Sequence, residues 1–308
     1  DGRFKIKLLC VNPAKNLADC LDKGKSTAFF SATLLPIQYY QELLSGASED
    51  YAVYAQSVFE EKKKGLFICG DVSSKYTRRS DAEYYNIAKY IQEVTREKVG
   101  NYLVFFPSHA FLNQVLKAYQ NYFEEECTEC IVQTSGMREE ERERFLNRFE
   151  GNPDCDLERL IQIEIEYEAE KTLIGFCVMG GIFGEGIDLK HDSLIGTLIV
   201  GTGLPMVCNE RELLKSSYDE AGLSGFDYAY RYPGMNKVLQ AAGRVIRTAE
   251  DVGIVVLLDD RFLTYSYKKM FPREWKHYKV CTLETIGEEV REFWEMQNEE
   301  QVRMFPAE

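Results

Sequence analysis

The sequence predicts an α/β protein built on a mostly parallel sheet flanked by helices, and three observations lead there. Five short apolar runs have the unbroken hydrophobicity of strands buried on both faces: "YLVFF" (102–106), "CIVQT" (130–134), "LIGFCVMG" (173–180), "LIGTLIVG" (194–201) and "GIVVLL" (253–258). Helical or turn-rich segments separate these runs, and strands that alternate with helices pair in parallel. The 308 residues, 45% hydrophobic and 28% charged, are enough to bury a large core.

Along the chain, the first element is a polar turn that enters a short strand, Ala28-Phe29-Phe30. Gly24-Lys25-Ser26 in that turn matches the end of a phosphate loop, G-x-x-x-x-G-K-[ST]. Asp19 occupies the place of the first glycine, and the loop precedes a strand where the motif needs a helix, so the segment is read as a turn. The run at 102–106 leads into a helix from Ala110 to Phe123. The run at 130–134 leads into a second helix, Met137 to Phe149, with Phe145 and Phe149 four apart on one face. Residues 161–170, "IQIEIEYEAE", alternate with period two and read as an exposed strand or hairpin arm inserted before the third core strand. "DEAG" (219–222) partly resembles an acidic Mg²⁺-binding box but lacks the apolar strand before it, and is read as a helix-to-loop transition. The tail from Glu284 to Glu308 reads as an acidic helix.

Composition excludes several classes. No apolar run reaches the roughly 18 residues of a membrane helix, and "DGRFKIKLLC" is not a signal peptide, so the expectation is a soluble, cytoplasmic or nucleoid-associated protein with no membrane contact. A net charge of −13 argues against a protein that coats nucleic acid, although most of it sits in solvated runs such as "REEERERF" (138–145) and leaves room for a local basic groove. Most of the nine cysteines lie in apolar runs and read as reduced core residues. Cys127 and Cys130 form one CxxC without a second pair, so no metal site is assigned.

Sites of parallel sheets lie at the carboxyl ends of the strands, which makes suspects of "PSHAF" (107–111), "TSGMR" (134–138), "GGIFGEGIDL" (180–189) and "GTGLP" (201–205). The most specific stretch is "QAAGRVIRTAEDVGIVVLLDDRF" (240–262). Gln240, Gly243, Arg244 and Arg247 fit Q-x-x-G-R-x-x-R at the end of a helix, with a tightly packed glycine. The three-residue spacing puts both guanidinium groups on one helical face, where their forked donors suit a phosphate. Val238, Leu239, Val245 and Ile246 are expected to form the apolar face of that helix.

At this point the chain resembles a family. "QAAGRVIRT", "GGIFGEGIDL", "LVFFPSHAFL" and "FFSATL" look like motifs VI, V, IV and III of superfamily 2 helicases, in the right order and spacing. "SATLLP", "EGIDL", "YPGMNKVLQAAGRVIRT" and "LLDDRF" resemble the XPD/DinG branch of DNA helicases most closely. The resemblance implies the RecA-like fold of a helicase C-terminal motor domain. Residues 1–46 would hold the end of a first motor domain with motif III and a linker. Residues 47–308 would hold the second, with an insertion near 155–171. The phosphate loop and acidic Mg²⁺ box would belong to a missing N-terminal motor domain of the same chain, which would bind most of the ATP and Mg²⁺. An iron–sulfur cluster, possible in such a parent, would belong there too.

Residue by residue, the resemblance implies that Arg244 and Arg247 face the γ-phosphate and that Gln240 positions the contact. Gly184, Glu185, Gly186, Asp188 and Gly243 would line the nucleotide cleft. Ser31, Ala32 and Thr33, ending a strand, would couple nucleotide state to nucleic-acid binding. Ser108, Thr134 and Ser135 would touch the backbone of single-stranded or forked DNA. "SSKYTRR" (73–79), with Lys75, Arg78 and Arg79, tracks a single strand on one reading and is a polar linker surface on the other. Two rivals belong to other classes. A non-catalytic binding module of the same fold would show decay of the arginine pair, which is intact. A small-molecule kinase would need glycine at position 19.

Overall fold

The computed structural model describes residue 4 and residues 6–47, 49–150, 171–183 and 193–304. The inserted arm at 161–170 lies outside the described residues. The chain divides into two compact units, Asp1–Gln56 with Leu204–Asn236, and Ser57–Gly203 with Lys237–Glu308. A boundary at 46/47 would leave 204–236 in the second domain, whereas by packing this segment groups with the N-terminal one.

The larger unit is a seven-stranded, wholly parallel sheet. Its strands are β1 (Lys64–Cys69), β2 (Asn101–Phe106), β3 (Thr128–Val132), β4 (Thr172–Val178), β5 (Gly196–Val200), β6 (Gly253–Leu258) and β7 (Lys279–Cys281), in the spatial order β3-β4-β2-β5-β6-β1-β7. The five expected strands are present, β3 two residues earlier than its apolar run suggested. β1 and β7 are additions. Alternate residues explain why the runs are continuously apolar. Tyr102, Val104 and Phe106 point to one face with Val256 and Leu258, and Leu103, Phe105, Val255 and Leu257 point to the other; all are buried.

Helices close both faces. Ile87 and Ile91 of α3 (Asp81–Thr95), Phe111 and Val115 of α4 (His109–Tyr122), and Val290 and Trp294 of α8 (Ile286–Met304) pack on the face of Tyr102, Val104 and Phe106. On the opposite face α5 (Glu139–Phe149) buries Phe145 and Phe149, whose rings lie 5.6 Å apart; a Cβ on Gly175 of β4 would come within 2.8 Å of Phe149. Burying each such ring stabilises by about 1.5–3 kcal/mol.

The smaller unit contains α1 (Ala14–Leu21), α2 (Ile37–Leu44) and α6 (Asn209–Glu220), around a tyrosine cluster in which Tyr218 stacks on Tyr228 at 4.5 Å and Tyr39 meets Tyr40, Tyr228 and Tyr232. α6 ends at Glu220, at the expected helix-to-loop transition. The expected strand at Ala28–Phe30 is absent. Phe30 is 93% exposed, and among its described residues this unit has no strand for the run to pair with. The cysteine expectation also needs correction. Cys69, Cys177 and Cys281 are buried, but Cys10, Cys20 and Cys127 are exposed. No described helix is long and apolar enough to cross a membrane.

Candidate functional site

The arginine segment does not lie on a helix. α7 (Tyr232–Ala242) ends one residue before Gly243, so Arg244 sits in a turn and Arg247 in the loop that leads to β6. The shared helical face is therefore not formed, and Val245 and Ile246 are not part of an apolar helix stripe with Val238 and Leu239. Gly243 is exposed rather than tightly packed: it makes the last helical hydrogen bond, to Leu239, and Arg244 then bonds back only three residues, to Ala241.

Two other contacts fix the loop. Val245 is buried against β6, where a Cβ on Gly253 would come within 2.1 Å of its Cγ1 and 2.7 Å of the Ile195 carbonyl oxygen. Asp251, buried, accepts from the backbone N–H groups of Arg247 and Thr248 at 2.7 Å each and from the Thr248 hydroxyl at 2.8 Å. Lys63, just before β1, donates to the Ala249 carbonyl at 2.6 Å. These anchors belong to the starts of β1, β5 and β6. The arginine loop consequently stands at the amino edge of the sheet, opposite the edge where sites of parallel sheets are expected.

The carboxyl edge carries the other candidates. Ser108 caps α4, its hydroxyl accepting from Phe111 N–H at 3.3 Å. Thr134 and Ser135 follow β3 in an exposed loop. The residue before them, Gln133, is buried and ties this loop to β4 through Val178 N–H, 2.9 Å from its Oε1. Gln133 also covers Gly181, while the Lys237 side chain of α7 lies across Gly180, whose φ of +68° falls in the left-handed region that favours glycine. This diglycine opens the segment that holds Gly184, Glu185, Gly186 and Asp188, which lie outside the described residues.

The turn after β1 is held by buried charge. Asp259, fully buried at the end of β6, accepts from Ser74 N–H at 2.9 Å and the Ser74 hydroxyl at 2.9 Å, and from Arg261 Nε at 2.7 Å and Nη2 at 2.8 Å. Burial lowers the Arg261 pKa, but Asp259 more than offsets it and the net shift is upward. Lys75 pairs with Asp260 at 2.5 Å, and Arg78 with buried Glu83 at 2.8 Å. Arg79 stands over the rings of Tyr76 and Phe111. Asp251, Asp259, Arg261, Gln133 and Lys237 received no role from the sequence, although all but Gln133 lie in stretches quoted as motifs. A visible signal for two of them is the pair of acids and the arginine placed directly after a wholly apolar strand.

In the smaller unit, Ser31-Ala32-Thr33 forms a turn rather than a strand end, with Thr33 N–H bonded to the Ser31 hydroxyl at 3.2 Å.

Comparison with known proteins agrees with this architecture. The family model described as "Helicase C-terminal domain" matches residues 91–278. The ATP-dependent DNA helicase XPD of Sulfolobus acidocaldarius is 25% identical over 265 residues, covering 80% of this chain and 41% of that protein. ATP-dependent DNA helicase CHL1 of Candida albicans is 23% identical over 299 residues, covering 86% and 32%. A regulator of telomere elongation helicase 1 homolog of Culex quinquefasciatus is 26% identical over 314 residues, covering 93% and 30%. The chain thus spans between 30% and 41% of the length of these relatives. Two solved structures titled "XPD_Helicase" and "XPD_APO" share the fold with TM-scores of 0.56 and 0.58, both at 21% identity, each covering 82% of this chain and, respectively, 42% and 47% of theirs. The parallel sheet, the ordered motifs and the family match together show that this chain belongs to the helicase C-terminal domain family of XPD/DinG-type superfamily 2 helicases.

Proposed function

We propose that this chain works as the C-terminal motor domain of an ATP-dependent DNA helicase, in which Arg244 and Arg247 meet the γ-phosphate of ATP held by a separate motor domain. The observation that carries this reading is the arginine loop itself: two guanidinium groups on a segment pinned at Val245 and Asp251 at one edge of the sheet. Guanidinium donors fit phosphate oxygens and not a cation, so Mg²⁺ belongs with the phosphate loop and acidic box of the partner domain. Bound ATP supplies the phosphoryl transfer. The arginines stabilise the charge that spreads over the transferring group, and Gln240, in the last turn of α7, orients them.

Ser108, Thr134 and Ser135 on the carboxyl edge touch a DNA backbone, which positions a strand without reading it. Ser31-Ala32-Thr33 couples nucleotide state to grip as the cleft opens and closes. The relatives' names as ATP-dependent DNA helicases support both ligands. Anisotropy titration of this chain with oligodeoxynucleotides of unrelated sequence tests the reading. Weak binding that is equal across sequences and fades as salt rises is expected. Tight, sequence-selective binding would favour a dedicated binding module.

A further inference from the structure

The turn after β1 places three cations and an aromatic ring within five positions, Lys75, Tyr76, Arg78 and Arg79. Two of the cations are paired with acids of the fold, Lys75 with Asp260 and Arg78 with buried Glu83. Arg79 differs. Its guanidinium carbon lies 5.4 Å from the Tyr76 ring centre and 5.2 Å from that of Phe111, and none of its described contacts is with a carboxylate. Tyr76 is 84% exposed, yet it stands on a rigid turn: Arg78 N–H bonds to Lys75 O at 3.0 Å and Arg79 N–H to Tyr76 O at 3.3 Å. Phe111 belongs to the first turn of α4, so the ring and the guanidinium stand beside the end capped by Ser108.

We infer that Tyr76 and Arg79 form a stacking platform for one base of a single-stranded nucleic acid, Arg79 also meeting the adjoining phosphate. Lys75 and Arg78 are braces of the turn and do not touch the strand. A ring held with one guanidinium across it is already ordered, so little entropy is lost when a base settles on it. Stacking tolerates any base, since every base has a π face. The inference rests on the reading of this chain as a nucleic-acid motor domain.

The test is anisotropy titration of a labelled oligo-dT with the whole chain at several salt concentrations. Tyr76→Ala is expected to weaken binding about 5- to 150-fold, the range for loss of one stacked base, with an unchanged salt slope. Tyr76→Phe should bind within about twofold of the parent chain. Arg79→Ala should reduce the salt slope by about 0.7, the value for one phosphate contact on a single strand. A Tyr76→Trp variant adds a local readout, because its fluorescence should be quenched as the strand binds. If the unmodified chain binds no single strand, the motor-domain reading fails and this inference with it. If it binds and Tyr76→Ala binds equally well, the platform alone is overturned. Equal loss in Tyr76→Phe and Tyr76→Ala, with a lowered melting temperature in both, would make Tyr76 a folding residue and overturn it too.

Discussion

Replacing Asp251 by Ala removes the carboxylate that organises the arginine loop. Three hydrogen bonds are lost, from Arg247 N–H, Thr248 N–H and the Thr248 hydroxyl, at 2.7, 2.7 and 2.8 Å. Bonds to a charged acceptor contribute about 1.5–3 kcal/mol each when the freed donors stay dry. Arg247 and Thr248 are only half-buried, so water reclaims part of this, and about 1 kcal/mol per bond is the better figure. The expected loss is about 3 kcal/mol, a large part of the roughly 5–15 kcal/mol that holds a domain folded. Asp251→Asn keeps one accepting oxygen and should lose about half as much. Urea unfolding followed by circular dichroism reads the difference: with slopes of about 1–3 kcal/mol per molar, Asp251→Ala should lower the midpoint by roughly 1 M or more. If Asp251→Ala unfolds at the same urea concentration as the unmodified chain, the carboxylate does not hold the loop and the account of Arg247 placement is wrong.

Three further outcomes follow from the same structure. This chain alone should release phosphate from ATP no faster than buffer, with or without DNA; turnover that survives purification and disappears in Arg244→Ala would contradict the two-domain reading. Gly253→Ala should destabilise by about 3 kcal/mol, because the new Cβ meets Val245 Cγ1 and the Ile195 carbonyl. Val245→Ala in that background should cost less than in the native one, a coupling that a double-mutant cycle measures. Asp260 gives a pH signature. Partial burial raises its carboxyl, but Lys75 and Ser73 outweigh burial and hold it below its ordinary value. A depressed folded-state pKa contributes stability above the unfolded value, near 3.9, that is lost as pH falls through the folded one. The stability gap between the unmodified chain and Asp260→Asn should thus be constant above about pH 5 and close below about pH 4; a gap that widens in acid would reverse the sign of the argument.

The core of the sheet was legible because each of its central strands is buried on both faces and therefore reads as a run of Val, Ile, Leu and Phe. β1 and β7 were harder. β1 carries a short apolar run, Leu66 to Cys69, that was not read as a strand, and β7 has three residues with Lys279 and Val280 exposed, so it does not stand out from a loop. Ala28-Phe29-Phe30 shows the converse, a strand-like run that forms none where, among the described residues of its unit, no strand is there to pair with it. Among site residues, the arginines were visible from their spacing, but their placement was not. The helix stops at Ala242, and what then fixes the loop is Asp251, four residues beyond Arg247, together with a glycine in β6. Gln133 and Asp259 were hidden for a similar reason: their partners, Val178 and Ser74, are remote in sequence, and only folding brings them within hydrogen-bonding range.

The most direct measurement is DNA-stimulated phosphate release by a protein that carries this domain together with a phosphate-loop motor domain, with Arg244 and Arg247 changed to Ala one at a time. Loss of an arginine finger costs about 10³- to 10⁵-fold in turnover, whereas loss of a ground-state contact raises KM and spares kcat. The account predicts a fall of that size in kcat for either variant, with melting temperature and DNA affinity little changed. Near-normal turnover in both variants would contradict it.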